Sequence, residues 1–151
     1  MFQATRAIVR LSPGTAHSDL AIATNNTRLR YRYSRPVWTH EEGLAILELC
    51  SRTYWQRIRV VQEYILAPNT TLYCGEKQLS WYSLSSLFNM LENDIICIQV
   101  ELHPYSAQIR SSFAAYIVQQ RLQKTTNGSF PLCDLLGTYK HMKSSDIRDK
   151  V

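Results

Sequence analysis

Arginine occupies every second position in one short stretch of the sequence. From Thr27 to Pro36 the chain reads TRLRYRYSRP, with apolar or aromatic residues between the first three arginines. Successive side chains of a β-strand point to opposite faces, so this stretch as a strand would have a cationic face and an apolar face. A second stretch, RIRVV, repeats the alternation. The predicted membrane-binding or nucleic-acid-binding set is therefore Arg28, Arg30, Arg32, Arg35, Arg57 and Arg59.

These arginines predict an anionic partner. If the two stretches are neighbouring strands, their arginines share one face, and like charges so close together repel unless an anion binds between them. The net charge of +5 favours the same class of partner. The candidates are a phosphate polymer, an anionic membrane surface, an acidic protein, or a face that contacts only water, and the spacing alone does not choose among them.

Aromatic residues near the arginines allow two interpretations. They are Tyr31, Tyr33, Trp38, Tyr54 and Trp55. Stacked on bases, they would resemble the aromatic residues of RNA-binding sheets. Tyr31 and Tyr33 share strand parity with Leu29, however, which favours the hydrophobic core. Both interpretations stay open at this point.

No residue pattern indicates catalysis or a bound metal. The chain has no dinucleotide-binding loop, Walker A loop, zinc-protease motif or nucleophile elbow. Its four histidines are scattered, and its four cysteines lack metal-ligand spacing. Glu41 and Glu42 are explained by helix capping, because adjacent helical positions do not face each other. We therefore expect a non-enzymatic protein with no cofactor and no metal.

The N-terminal half predicts an arm followed by alternating strands and helices. Residues 1–19 predict a flexible arm, and the arginine-rich strand ends at Pro36, which cannot donate to a strand ladder. Thr39 with Glu42 three residues later is a capping box for a helix that reaches about Arg52. RIRVVQEYIL predicts a second strand, and TLYCGEKQLSWYSL predicts a short hairpin or an irregular crossing. A small helix is predicted from Leu84 to Leu91.

The C-terminal half predicts a buried strand and a long helix. DIICIQVEL is apolar on both strand faces, which is typical of a central strand. Ser106 would cap a helix from Ala107 to about Lys124. Its core stripe would contain Ile109, Phe113, Tyr116 and Ile117. Residues 129–140 predict a final packed segment.

This order of elements predicts an α+β fold. We expect a single domain with a twisted, partly antiparallel sheet and helices packed on one face. The domain would span residues 20–140, between the arm (1–19) and a charged C-terminal tail (141–151). No secretory signal begins the sequence and no run of 18 apolar residues occurs in it. Any membrane contact is therefore expected from the cytosolic side.

The order of the pieces resembles one protein family. A basic alternating stretch ends in YSRPVWT and a capped helix, RIRVVQEYIL follows, and SAQIRSSFAAYIVQQRLQKTTNGSFPLCDLLGTYK comes near the end. Over roughly residues 20 to 140 the chain resembles the globular core of rhabdovirus matrix proteins. It resembles bornavirus matrix proteins more loosely. The individual motifs are Ser34-Arg35-Pro36 and the turn that starts at Asn127-Gly128.

The resemblance implies a viral matrix protein, which is a structural component of the virion. Such proteins self-associate beneath the envelope, bind the anionic inner leaflet, contact the viral nucleocapsid or RNA, and support assembly and budding. The viral glycoprotein tail is a further implied partner. Host cytoplasm, the inner face of host membranes and the host nucleus are the implied locations. The alternative is a small cytosolic or nuclear RNA-binding module with an arginine-rich sheet face.

The chain departs from the family pattern in two respects. It has no lysine-rich N-terminal tail and no P-P-x-Y or P-[ST]-A-P budding motif. The arginine set would then carry the membrane and nucleocapsid contacts.

Self-association needs a surface apart from the arginines. The N-terminal arm contains apolar residues with little local sequence to bury them. They are Phe2, Ile8, Val9 and Leu11. An arm of this composition could dock into a second copy as an extended peptide.

Overall fold

Three strands form a mixed sheet in this computed structural model, which describes residues 7–30, 38–57, 64, 65, 67, 69–92 and 104–127. Strand β1 (Ala7–Ser12) pairs in parallel with β2 (Thr70–Cys74). Strand β2 pairs antiparallel with β3 (Lys77–Ser80), so the strand order is β1-β2-β3. The sheet carries helices packed against it, which confirms the predicted α+β class and the partly antiparallel sheet.

Alternate residues of the strands define two different faces. On the inner face, Val9, Leu72 and Leu79 lie side by side in register, and each is at most 1% exposed. On the outer face, the alternate positions are exposed or half-buried. They form two rows across the sheet, Ile8-Thr71-Ser80 and Arg10-Tyr73-Gln78. This period of two is that of a sheet with one face on the core.

Gly75 is required by the tight hairpin between β2 and β3. Its φ is +58°, which side-chain-bearing residues rarely adopt, and a Cβ there would lie 2.8 Å from the backbone of Gly14. Of the two structures predicted for this segment, a short hairpin and an irregular crossing, the hairpin is the one that forms, with Gly75 at the first position of its two-residue turn. The close approach also holds the loop after β1 against the hairpin. Arg52 reinforces it by donating to the Cys74 thiol at 2.8 Å.

The described residues contain five α-helices and one short 3₁₀-helix. They are α1 (Ala16–Arg30), α2 (His40–Cys50), the 3₁₀-helix (Thr53–Gln56), α3 (Trp81–Glu92), α4 (Ser106–Arg110) and α5 (Phe113–Asn127). The predicted capping box of α2 is confirmed. The Glu42 amide donates to Thr39 Oγ1 at 3.2 Å, and the Thr39 amide donates to Glu42 Oε2 at 2.9 Å.

The hydrophobic core lies between the inner face and the helices. Its largest fully buried side chains come from many elements: Trp55, Tyr64, Phe88, Ile46, Leu72, Leu79, Leu84, Leu87, Leu91, Ile109, Ile117 and Val9. Each such side chain contributes about 1.5–3 kcal/mol relative to an exposed position. The small helix predicted over Leu84 to Leu91 is confirmed within α3, where both of those leucines are buried.

The predicted arm and the first predicted strand are wrong where the structure describes them. Residues 7–12 form β1, and helix α1 covers Ala16 to Arg30, including the start of the arginine-rich stretch. The cap of α1 explains the difference: the Ser18 amide donates to Thr15 Oγ1 and the Thr15 amide to Ser18 Oγ. The Asn25 side chain, on α1, is buried, and its amide nitrogen donates to the Ser83 carbonyl at 2.9 Å.

The prediction of a single long helix from Ala107 to about Lys124 is also wrong. The helix is interrupted at Ser111 and Ser112, which separate α4 from α5. Ser112 caps α5, accepting from the Ala115 amide at 3.2 Å. Ser106, expected to be a cap, is instead the first residue of α4. The break changes the helical phase, so Phe113 is 47% exposed while Ile109 and Ile117 are fully buried.

The strand predicted over 57–66 is described only at Arg57, Tyr64 and Ile65, and it is wrong at Tyr64 and Ile65, where the backbone is helical. Three further predictions lie outside the described residues: the strand over 94–102, the packed segment 129–140 and the tail 141–151.

Candidate interaction surface

The outer face of the sheet presents an aliphatic and a cationic side chain next to each other. Ile8 is 60% exposed, and Arg10, two residues further along the same strand, is also exposed. Beside Arg10 lies Tyr73, whose hydroxyl donates to Gln78 Oε1 at 3.3 Å. The face thus offers apolar contact and one positive charge from a rigid strand. Such a surface suits the interface of an anionic membrane or another protein.

Two residues of the predicted arginine set lie on a helix where a strand was predicted. Arg28 and Arg30 belong to the last turn of α1, so the alternation of a strand does not apply to them. Arg57 is exposed directly after the 3₁₀-helix. Arg32, Arg35 and Arg59 lie outside the described residues. The physical argument for one cationic ribbon therefore fails for its first two members.

The predicted self-association set is divided by the fold. Val9 and Leu11 are only 1% and 5% exposed, because β1 packs them into the core of its own chain. Ile8 has the opposite strand parity and remains exposed, while Phe2 lies outside the described residues. A free arm carrying all four side chains to a neighbour is thus contradicted for Val9 and Leu11.

Three of the five aromatic residues near the predicted arginine set are described, and all three belong to the core. Trp38, Tyr54 and Trp55 are at most 9% exposed. The Trp55 indole donates to the Leu49 carbonyl at 2.9 Å and packs edge-on against Tyr54. The core interpretation is confirmed for these three, whereas Tyr31 and Tyr33 lie outside the described residues. Buried rings cannot stack on nucleic-acid bases.

Arg121, which the sequence interpretation overlooked, is a buried cation only 4% exposed. Its Nη1 donates to the Tyr64 carbonyl at 2.7 Å and to Thr70 Oγ1 at 2.6 Å, and its guanidinium lies 4.3 Å from the Trp81 ring centroid. Burial lowers the pKa of Arg121, and the electrostatic interaction with the Tyr64 hydroxyl partly opposes that shift. The signal was its spacing, since Arg121 continues the buried stripe of Ala114 and Ile117. Its contacts make it a structural residue that joins α5 to the chain before β2.

A cavity of about 350 Å³ opens where α4 and α5 meet. Its lining contains polar and apolar residues: Leu47, Cys50, Ser51, Arg52, Gln56, Gln108, Ser111, Ser112 and Phe113. Burial raises the pKa of the Cys50 thiol to about 12, against a smaller lowering by its hydrogen bond to Ser112. That thiol is therefore protonated at neutral pH and is a poor nucleophile.

Among the residues that the structure describes, no group of three or more His, Cys, Asp or Glu side chains is placed to hold a metal ion. Among the helices in this part of the chain, none has the length and apolar character needed to cross a bilayer.

Comparison with known proteins gives no family assignment. No protein-family model matches the chain, and no match was found among curated proteins or solved structures. The resemblance to matrix proteins therefore stays a prediction from the sequence.

Proposed function

We propose that this chain is a viral matrix protein. In this role it self-associates beneath the envelope, binds the anionic inner leaflet and the nucleocapsid, and supports assembly and budding without catalysing a reaction. The order of sequence elements and the net charge of +5 support the proposal. Membrane association is peripheral and electrostatic, with short apolar side chains adding contact.

The observation that carries the proposal is the exposure of Ile8 and Arg10 side by side on the outer face of the sheet. A strand holds both side chains in fixed positions, so they can contact a flat anionic surface together. Arg57 adds a further exposed cation from the predicted arginine set. Each such cation near an anionic leaflet contributes about 1 kcal/mol.

The alternative, an RNA-binding module with an arginine-rich sheet face, has lost two of its supports. Thr27 to Arg30 are helical, and Trp38, Tyr54 and Trp55 are buried where bases cannot reach them. We therefore favour the membrane-binding function and treat RNA as a second anionic partner.

Liposome flotation tests this proposal. The chain should float with vesicles that contain phosphatidylserine, stay behind with purely zwitterionic vesicles, and detach at about 0.5 M salt, where surface charges are screened. Arg10→Gln and Arg57→Gln should each weaken binding about fivefold, the factor that corresponds to about 1 kcal/mol. Gln78→Ser, on the same face as Arg10 but without a change of charge, is the matched control.

Three results would contradict the proposal: no flotation at low salt, binding that persists at high salt, or equal binding to both kinds of vesicle. Tight binding to single-stranded RNA by a chain that does not float would favour the alternative.

A further inference from the structure

The outer edge of β1 is open in the described part of the chain. Strand β1 pairs with β2 on one side, and no described strand pairs with its other side. A sheet edge of this kind presents backbone N–H and C=O groups that can pair with another strand. The opposite edge differs, because β3 has only four residues, begins with Lys77 and packs beside α1.

Edge strands of natural sheets usually have features that prevent another strand from pairing with them, and β1 has few of these features. The strand has six residues, contains no proline or lysine, and exposes Ile8. Its one irregularity lies between Arg10 and Ser12, so the edge is regular from Ala7 to Arg10. Arg10 is its only charge. The N-terminal part of β1 can therefore accept an added strand.

We propose that two copies of this chain pair antiparallel through their β1 edges, about a two-fold axis perpendicular to the sheet and centred on Val9. The inference rests on the proposed self-association and identifies its surface. Antiparallel pairing makes the same edge serve both copies, as a two-fold interface requires. The result joins the three strands that the described residues of each copy form into one continuous sheet.

Charge selects the register. A two-fold axis perpendicular to the sheet keeps the inner faces of both copies on the same side of the joined sheet. Residues opposite each other must therefore both be odd-numbered or both be even-numbered positions of β1. Centring on Arg10 would set Arg10 against the same arginine of the second copy, and like charges directly opposite are destabilising. Centring on Ile8 leaves only Ala7 to Val9 paired within the strand that the structure describes, whose first residue is Ala7. Centring on Val9 sets Ile8 opposite the arginine, whose aliphatic stem can cover it.

This arrangement has a geometric consequence for the proposed function. The perpendicular axis places both outer faces on the same side of the extended sheet. Two copies of Ile8 and two of Arg10 then face the same surface, which doubles the contact with an anionic leaflet. A dimer would bind such a leaflet more tightly than a monomer through this multivalency.

A charge exchange across the two-fold axis tests the register in the full chain. Ile8→Lys puts a lysine opposite Arg10 twice in each dimer and should weaken dimerisation about tenfold. The double variant Ile8→Lys/Arg10→Glu makes each of these pairs attractive and should return the dimer constant to within about threefold of the parent. Sedimentation equilibrium measures the constants, and circular dichroism checks that each variant is folded.

A second measurement covers the case in which Ile8→Lys does not fold. Ile8→Cys chains mixed with Arg10→Cys chains should form a disulfide-linked heterodimer under mild oxidation, identified by mass. Ile8→Cys alone should cross-link far less, because its two thiols lie diagonally across the axis. The parent chain, treated identically, gives the background from its native cysteines.

The outcomes separate the two proposals. A parent that dimerises while both charge variants dimerise equally well overturns the β1 pairing but leaves self-association intact. A parent that stays monomeric at every concentration overturns both. Loss in the single variant with recovery in the double variant supports the pairing.

Discussion

The inner and outer faces of the sheet use alternate residues of the same three strands, yet they have different roles. Val9, Leu72 and Leu79 cross the inner face in one row and are almost completely buried. Ile8, one residue from Val9, is 60% exposed and has no part in that core. Hydrophobicity alone therefore does not indicate which side chain of a strand is buried in the core. The odd or even position of the residue along the strand decides which face its side chain lies on.

The two arginines at opposite ends of the described chain repeat the contrast. Arg121 is buried and is held by two hydrogen bonds and an aromatic ring, whereas Arg10 is exposed on the outer face. Substituting Arg121 would leave buried polar partners unsatisfied. Substituting Arg10 changes only the charge that the surface presents. Basic residues must be sorted by burial before they are used as evidence of binding.

Substitutions on α5 should show the largest difference in the free energy of unfolding between a buried position and an exposed one. Ile117→Ala should lower the free energy of unfolding by about 2–5 kcal/mol, because the side chain is fully buried and a cavity remains. Phe113→Ala should cost less than about 1 kcal/mol, because its ring is 47% exposed. Chemical denaturation measures both. Equal losses would show that Phe113 belongs to the core after all.

The same comparison on β1 should give a smaller difference. Val9→Ala should cost about 2 kcal/mol, because it removes methyl groups from the inner face. Ile8→Ala should stay within about 0.5 kcal/mol when measured at a concentration where the chain is monomeric. A larger loss for Ile8 than for Val9 would reverse the assignment of the two faces.

Alkaline pH should destabilise the chain through its buried acidic groups. The folded chain keeps the Cys50 proton until pH reaches its pKa of about 12, whereas the unfolded chain releases it near the ordinary pKa of 9.0. The folded state binds more protons between these values, so stability should fall as pH rises, by about 1.4 kcal/mol per pH unit for one group. Tyr64, whose pKa burial also raises, acts in the same direction.

Denaturation at several pH values above 9, in the presence of a reductant, measures this slope. Cys50→Ala should be less stable at neutral pH but should have a shallower slope than the parent. An identical slope in the variant would show that the Cys50 thiol is not the group responsible.

The smallest effect concerns one hydroxyl. The Tyr64 OH is buried and has no hydrogen-bond partner among the described residues. Tyr64→Phe should therefore raise the free energy of unfolding by about 1 kcal/mol, because it removes an unsatisfied polar atom. Tyr82→Phe, at a tyrosine that is 61% exposed, should change nothing measurable and is the control. Destabilisation by Tyr64→Phe would indicate that the hydroxyl has a partner.

Local signals in the sequence predicted part of this fold correctly. The capping box of Thr39 and Glu42 depends on residues three apart, and the hairpin depends on a two-residue turn at Gly75. The α+β class follows from the order of such elements. The α1 cap at Thr15 and Ser18 is also local, but it was not recognised from the sequence. Its third helical residue is Ser18, whereas a capping box normally has Glu or Gln there.

The candidate surface was predicted less well than the fold. Ile8 was named for self-association and is exposed, but Val9 and Leu11 of the same set lie in the core. Arg10 was not in the predicted binding set, since that set was selected by alternation in a stretch whose first four residues are helical. Alternation identifies a face only when the stretch is known to be a strand.

The sequence by itself determined the α+β class, the capped start of α2, the hairpin at Gly75 and the excess of positive charge, because each depends on neighbouring residues or on composition. The tertiary structure alone decided which apolar and basic side chains are buried. The buried Asn25 side chain donates to the carbonyl of Ser83, 58 residues away. The buried Arg121 side chain donates to the carbonyl of Tyr64, 57 residues away. Such contacts gain their free energy only when distant segments pack together, so no local spacing encodes them.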